Sequence, residues 1–295
     1  AGSSSIGGTQ TIIAKPTIAT VATPADICAG SSLTTTLLPA PTVTANGSTV
    51  TAQGFELETS VGGGTYAALS LPYTVTFADN GKNIRYYATN GCGTTYSNLV
   101  VLTVDDKPTI ATVATPAAIC AGSSLTTTLL PAPTVTANGS TVTAQGFELE
   151  TSVGGGTYAA LSLPYTVTFA DNGKNIRYYA TNGCGTSYSN LVVLTVDDKP
   201  TIATVATPAD ICAGSSLTTT LLPAPTVTAN GSTVTAQGFE LETSVGGGTY
   251  AALSLPYTVT FADNGKNIRY YATNGCGTSY SNLVVLTVDD KPTIA

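Results

Sequence analysis

The sequence predicts an all-β protein: tandem antiparallel β-sandwiches of about seven strands each, with one disulfide per domain. Three observations predict it. The segment KPTIATVATP begins at Lys15 and recurs at Lys107 and Lys199, a period of 92 residues. That is too long for a helix-pair or leucine-rich unit and fits a whole small sandwich domain. Each period carries short apolar/polar alternations separated by Gly, Pro and Asn turn signals, with no helical periodicity. Each also carries two cysteines, always 64 residues apart: Cys28 and Cys92, Cys120 and Cys184, Cys212 and Cys276.

The copies differ at only two positions, Asp26/Ala118/Asp210 and Thr95/Ser187/Ser279. The expected organisation is therefore 1–14 as the end of a different upstream segment, repeats at 15–106, 107–198 and 199–290, and 291–295 as the start of a further repeat. With no Met and no leader segment, the chain reads as a processed or excised piece.

Within the first repeat, Thr17–Thr23 alternates small and branched residues up to Pro24 and reads as a first, edge strand. Residues 27–32 read as a turn, and Leu33–Leu38 as a strand stopped by Pro39 and Pro41. Asn46-Gly47 marks a turn that tolerates positive φ. Residues 54–59 form a half-buried strand, Phe55 and Leu57 facing inward and Glu56 and Glu58 facing water. The Gly62-Gly63-Gly64 turn leads into 65–69. Tyr73, Val75 and Phe77 share one face of the next strand, and Asp79-Asn80-Gly81 turns the chain. Residues 84–89 follow, then a hairpin at 90–93 and a closing strand over 99–104.

Paired cysteines without clustered metal ligands imply disulfides and an oxidising compartment. Pairing within each repeat is expected, as Cys28–Cys92, Cys120–Cys184 and Cys212–Cys276. The alternative Cys92–Cys120 register strands Cys28 and Cys276. A loop of this size adds about 4 kcal/mol in the chain-entropy model.

Charged residues make up 9% of the chain and sum to −7, which leaves no basic footprint for nucleic acid or anionic lipid. No apolar run approaches the ~20 residues of a membrane-spanning helix. The chain has no His, so its many Ser and Thr lack the base an acyl-transfer triad needs. No Gly-rich segment opens a helix to cradle phosphate. The composition points away from an enzyme.

The segments Phe55-Glu56-Leu57-Glu58, Val61 to Tyr66, Ala78-Asp79-Asn80-Gly81-Lys82, Tyr86 to Gly93 and the Leu-Val-Val-Leu-Thr-Val ending carry a resemblance. They resemble bacterial immunoglobulin-like repeats arrayed in large cell-surface adhesins of the Bacteroidetes, including the gliding-motility adhesins exported by type 9 secretion. The resemblance spans every repeat, with Phe55 and Tyr66 standing where family members often carry Trp. It implies an immunoglobulin-like fold, an extracellular place on a bacterial cell surface, and the work of a stalk or adhesin.

Candidate sites are few. Glu56 and Glu58 are two apart on a strand, roughly 6.6 Å, a spacing that overlaps glycosidase pairs; a flat wet strand offers no cleft, so a solvated face is expected. Asp105 and Asp106 at each junction, with the Asp79 turn, are the carboxylates a junction Ca²⁺ would use; a plain solvated linker is the competing reading, and no other cofactor is expected. Tyr73 and Tyr86 fall on core faces, whereas Tyr87 and Tyr96 are the candidate ligand contacts. Lys82 with Asn83, Asn90 or Asn98 would be the parts of an isopeptide bond, but Lys82 sits in a polar turn.

The function expected from these readings is a non-enzymatic extracellular spacer or stalk. Two alternatives stand beside it: repeated glycan- or surface-binding modules acting by multivalency, and a self-assembling filament or sheath subunit. The expected partners are a surface or glycan ligand and neighbouring copies of the repeat, with no nucleic acid and no membrane insertion.

Overall fold

The structure, a computed structural model, describes residues 12–290. The expected further repeat at 291–295, and most of the expected upstream segment, lie outside the described residues.

Repeat 1 contains β1 (Thr17–Ile18), β2 (Ile27–Cys28), β3 (Ser32–Leu33), β4 (Val43–Thr44), β5 (Ala52–Glu58), β6 (Tyr66–Leu69), β7 (Tyr73–Thr74), β8 (Asn83–Asn90), β9 (Gly93–Tyr96), β10 (Val100–Val101) and β11 (Val104–Asp105), with a 3₁₀ turn at Phe77–Asp79. The main sheet runs β6–β5–β8, and both β9 and β10 pair with the free edge of β8. The remaining strands form ladders β1–β4, β3–β7 and β2–β11. The β2–β11 ladder is parallel, joining Val104 to Ile27 and Asp105 to Cys28, whereas the other ladders of repeat 1 are antiparallel.

Alternation builds the core. Along β8, Ile84, Tyr86, Ala88 and Asn90 are buried while Asn83, Arg85, Tyr87 and Thr89 are only partly so. Ile27, Leu33, Leu38, Phe55, Leu57, Val75, Leu102 and Val104 meet Ile84 and Tyr86 in one cluster. Each such side chain contributes roughly 1.5–3 kcal/mol on burial. Phe55 lies opposite Tyr86 in the ladder, and their rings meet edge to face at 4.8 Å. The same pair and cluster recur in repeat 3. Each repeat unit is a small β-sandwich.

By its contacts the chain divides into two compact units. One comprises Ala1–Thr112, Pro133–Gly146 and Tyr178–Ser189; the other comprises Val113–Ala132, Phe147–Arg177 and Asn190–Ala295. Repeat 1 lies in the first and repeat 3 in the second, and repeat 2 contributes residues to both.

Several expected elements are corrected. The strand expected over Thr17–Thr23 is only β1, because the Asn98 amide then takes over as partner: its Oδ1 accepts from Val21 N at 2.9 Å and its Nδ2 donates to Val21 O at 3.0 Å. Leu33–Leu38 is not one strand. After Leu33 the Thr34 carbonyl accepts from the N–H groups of Leu37 and Leu38, closing a turn that still buries Leu38. Phe77 does not share a strand face with Tyr73; it opens the 3₁₀ turn and is 40% exposed. The closing strand divides, β10 pairing with β8 and β11 with β2.

The largest correction concerns the cysteines. The expected Cys28–Cys92, Cys120–Cys184 and Cys212–Cys276 bonds are absent. Cys28 is bonded to Cys184 and Cys120 to Cys276, each with Cα atoms 5.5 Å apart, while Cys92 and Cys212 are free. The reason is position in the sandwich. Cys28 pairs with Asp105 at the trailing end of repeat 1, next to Val104, whose N–H donates to Asn80 Oδ1 just ahead of β8. Cys92 follows the far end of β8, at the leading end, where Asn90 holds Ala14. An eight-residue strand places those ends roughly 25 Å apart, and a disulfide needs Cα atoms within about 7 Å.

Candidate functional site at the repeat junction

The most developed polar assembly joins one repeat to the next. In the first unit, Asp105 ends β11, and the following residue is already bonded into repeat 2. Asp106 N donates to Asn138 O at 2.9 Å, and Asp106 O accepts from Asn182 Nδ2 at 2.7 Å. The expected solvated linker is therefore not there; Asp105 and Asp106 are both partly buried. Asn182, 5% exposed, is the pivot: Nδ2 also donates to Ala137 O at 2.9 Å, and Oδ1 accepts from Cys184 N at 2.9 Å. One amide thus fixes the incoming chain, the Asn-Gly turn and the cysteine hairpin.

The turn itself needs glycine. Asn138 and Gly139 both have positive φ, 56° and 99°, and a Cβ on Gly139 would collide with the Asp105 carboxylate. The Cys28–Cys184 bond then crosses beside the Asp105–Asp106 peptide, so two covalent connections run from repeat 1 to repeat 2. The second unit repeats the design. Asp198 N donates to Asn230 O, Asn274 Nδ2 donates to Asp198 O at 2.7 Å, Gly231 packs on Asp197, and Cys120 is bonded to Cys276.

The candidate carboxylates serve the body of the repeat. Glu56 Oε2 accepts from Arg85 Nε at 2.7 Å. Glu58 is not on a wet face as expected; it is 2% exposed. It accepts from Gly64 N at 3.0 Å, Asn83 N at 3.1 Å and Asn83 Nδ2 at 3.0 Å. Those donors, the Gly64 and Asn83 backbone first, outweigh burial and hold its carboxyl below the usual glutamate value. Both residues are committed, one to an ion pair and one to a loop clamp.

Asp79 is equally committed. Oδ2 accepts from Thr76 N and Thr76 Oγ1 at 2.9 Å each and from Tyr73 OH at 3.1 Å, and Oδ1 pairs with Lys82 Nζ at 2.8 Å. Burial alone would raise its pKa, but Lys82 and Thr76 together lower it. Its oxygens are thus engaged by Thr76, Tyr73 and Lys82. Among the described residues no three His, Cys, Asp or Glu side chains gather as a metal-ligand group.

Lys82 is ion-paired to Asp79, Asn83 serves Glu58, Asn90 holds Ala14 and Ala45, and Asn98 holds Val21. The parts considered for an isopeptide bond therefore have separate structural duties. Tyr87 is half-buried with its ring over Gly54, and Tyr96 is 49% exposed. The Arg85 guanidinium lies 3.8 Å from the Tyr66 ring and 3.9 Å from the Tyr96 ring, which stiffens this outer face.

Sequence reasoning missed Asn182, Gly139 and the 156-residue disulfide separation. Asn138-Gly139 was legible as a turn, but not as the surface on which Asp105 rests.

No family model matches the chain, and no curated protein matches it. Among solved structures it is similar to the N-terminal eight Ig domains of Down Syndrome Cell Adhesion Molecule (DSCAM) isoform 1.30.30, at 16% identity and a TM-score of 0.45 over 94% of this chain. It is also similar to extracellular domains 3–5 of Drosophila OTK, at 11% identity and a TM-score of 0.32 over 92% of this chain and 97% of that one. Sidekick-1 immunoglobulin domains 1–5 match at 16% identity and a TM-score of 0.31, over 97% of this chain and 61% of that one. The chain spans 37% of the DSCAM chain.

Proposed function

We propose that the chain is a non-enzymatic, extracellular load-bearing spacer, part of a bacterial cell-surface adhesin as the sequence resemblance implies. The observation that carries this reading is the doubled covalent crossing at each junction. A disulfide beside every described repeat-to-repeat peptide suits an oxidising compartment and a tether that must not lengthen or part.

The bonds interlock. From Lys15 to Asp290 the shortest covalent path crosses Cys28–Cys184, returns to Cys120 and crosses to Cys276, about 90 residues of chain, or roughly 300 Å when extended. Without the disulfides the path is about 275 residues, roughly 950 Å. One backbone cut anywhere between Cys28 and Cys276 leaves a single covalent piece.

Single-molecule pulling tests the tether. Maximal extension should rise about threefold on reduction, and a chain nicked once between repeats should stay whole on a non-reducing gel. Equal extension with and without reductant would sink the reading.

A second reading, multivalent adhesion, draws on the exposed Tyr96, Leu99 and Val101, repeated as Tyr188, Leu191 and Val193 and as Tyr280, Leu283 and Val285. Binding to a glycan array that grows steeply from one repeat to three would favour it over a pure spacer.

A further inference from the structure

On the outer face of the main sheet of repeat 1, strand register gathers an ion pair and three tyrosines. Glu56 lies opposite Arg85 and Gly54 opposite Tyr87 in the β5–β8 ladder, and Tyr87 lies opposite Tyr96 in the β8–β9 ladder. Alternation puts Arg85 and Tyr87 on the same, partly covered side of β8. The Arg85 guanidinium is stacked between two rings, 3.8 Å from the Tyr66 centroid and 3.9 Å from the Tyr96 centroid.

The ion pair uses one atom of each partner. Arg85 Nε donates to Glu56 Oε2 at 2.7 Å, and among the described residues this is the guanidinium's hydrogen bond. The two side chains stay 22% and 20% exposed, and among the described residues no buried side-chain nitrogen or oxygen lacks a partner. Arg85 Nη1 and Nη2 therefore open to solvent as donors, beside Glu56 Oε1 as an acceptor.

Tyr87 adds a platform. A Cβ on Gly54 would sit 3.4 Å from its ring, so the bare glycine lets the ring lie against β5 with its other face outward. In repeat 3, Arg269 Nε pairs with Glu240 Oε2 at 2.7 Å, between the Tyr250 and Tyr280 rings, and Tyr271 lies over Gly238. In repeat 2, Arg177 pairs with Glu148 at 2.7 Å and lies 3.8 Å from the Tyr158 centroid.

We infer that this face binds a neutral pyranose sugar, its adjacent hydroxyls on Arg85 and Glu56 and its C–H face on Tyr87. Each hydroxyl both donates and accepts, so two neighbours can take an Nη donor and the Oε1 acceptor together. The negative face of an aromatic ring attracts the sugar's C–H groups. An acidic ligand fits worse, because Glu56 cancels the Arg85 charge and the whole chain carries −7. This inference rests on the multivalent-adhesion reading and supplies its ligand class; one shallow site is weak, and three copies add avidity.

The test applies the intact chain to a printed array of neutral and acidic glycans. Binding should concentrate on neutral glycans with adjacent free ring hydroxyls and should change little with salt. A chain carrying Arg85→Lys, Arg177→Lys and Arg269→Lys keeps a cation beside each glutamate but loses the planar fork. Its half-saturating concentration on the best glycan should rise at least about tenfold. Replacing Tyr87, Tyr179 and Tyr271 by Leu removes the platform, leaves the ion pairs in place and should weaken binding likewise. Peptide mapping that finds Cys28–Cys184 and Cys120–Cys276 in both variants, with melting temperatures near that of the unaltered chain, establishes that they are folded. Undiminished binding by either variant would strike out this site while leaving adhesion through Tyr96, Leu99 and Val101 standing. Binding confined to acidic glycans would overturn the ligand class, and a silent array would overturn the site and the adhesion reading together.

Discussion

Val104 and Asp105 are neighbours in one two-residue strand, yet they belong to regions held together differently. Val104 is fully buried in the apolar cluster of repeat 1. Asp105 faces the Asn138-Gly139 turn of repeat 2, beside the cysteine that crosses to it. The body of the repeat is stabilised by many interchangeable apolar contacts, individually replaceable by residues of similar volume. The junction depends on a few groups with no substitutes: one disulfide, one buried amide and one glycine. Tolerance should therefore be high inside a sandwich for volume-conserving changes and low between sandwiches for any change.

The largest effect that tests this contrast is a cavity in the body. Leu33→Ala, at a fully buried site, should destabilise repeat 1 by about 2–5 kcal/mol in urea unfolding, whereas a volume-conserving Leu33→Met should cost less than about 1.5 kcal/mol. Peptide mapping of both variants should still find Cys28–Cys184. A reshuffled bond would mean that the junction is subordinate to the core.

Smaller in energy but sharper in location is the junction itself. Asn182→Ala leaves the carbonyls of Asp106 and Ala137 and the N–H of Cys184 without their partner, at about 1–3 kcal/mol. Gly139→Ala meets both positive φ and the Asp105 carboxylate and should raise hydrogen exchange at Asp106 while sparing β5 and β8. Equal exchange at both places would erase the distinction between body and junction.

The smallest expected effect is acid sensitivity, and it should fall on the body. Glu58, Glu150 and Glu242 are held below the ordinary value of 4.5, and Asp79, Asp171 and Asp263 below 3.8. A carboxylate whose pKa is depressed on folding contributes stability above the unfolded value and loses it as pH falls through the folded one. Melting temperature should be flat from neutral pH down to about 4.5 and fall below it. The disulfides and the Asn amides carry no proton that titrates in this window. A melting temperature unchanged at pH 3 would show that the Glu58 and Asp79 clusters add nothing.

Much of the fold was legible in the sequence. Phe55 and Leu57 face inward because side chains alternate along a strand, and Asn46 and Gly47 turn because their backbones accept positive φ. The central strands β5, β6 and β8 fall where their alternation placed them. Glu58 was misread because alternation reports the face of a strand and not what covers it; the Gly62–Gly64 turn and Asn83 fold over that face. Leu33–Leu38 misled in the same way, since an apolar residue can be buried from a turn as well as from a strand.

The sequence by itself determined the repeat, the all-β class, the turns and most of the inward faces, because each depends on residues only a few positions apart. The cysteine partners were beyond it. When copies are nearly identical, a residue has an equivalent in every repeat, and spacing ranks the nearest first. Only the tertiary structure decided, by placing Cys28 at the trailing end of its sandwich and Cys92 at the leading end, so that the sulfur within reach belongs to the next copy.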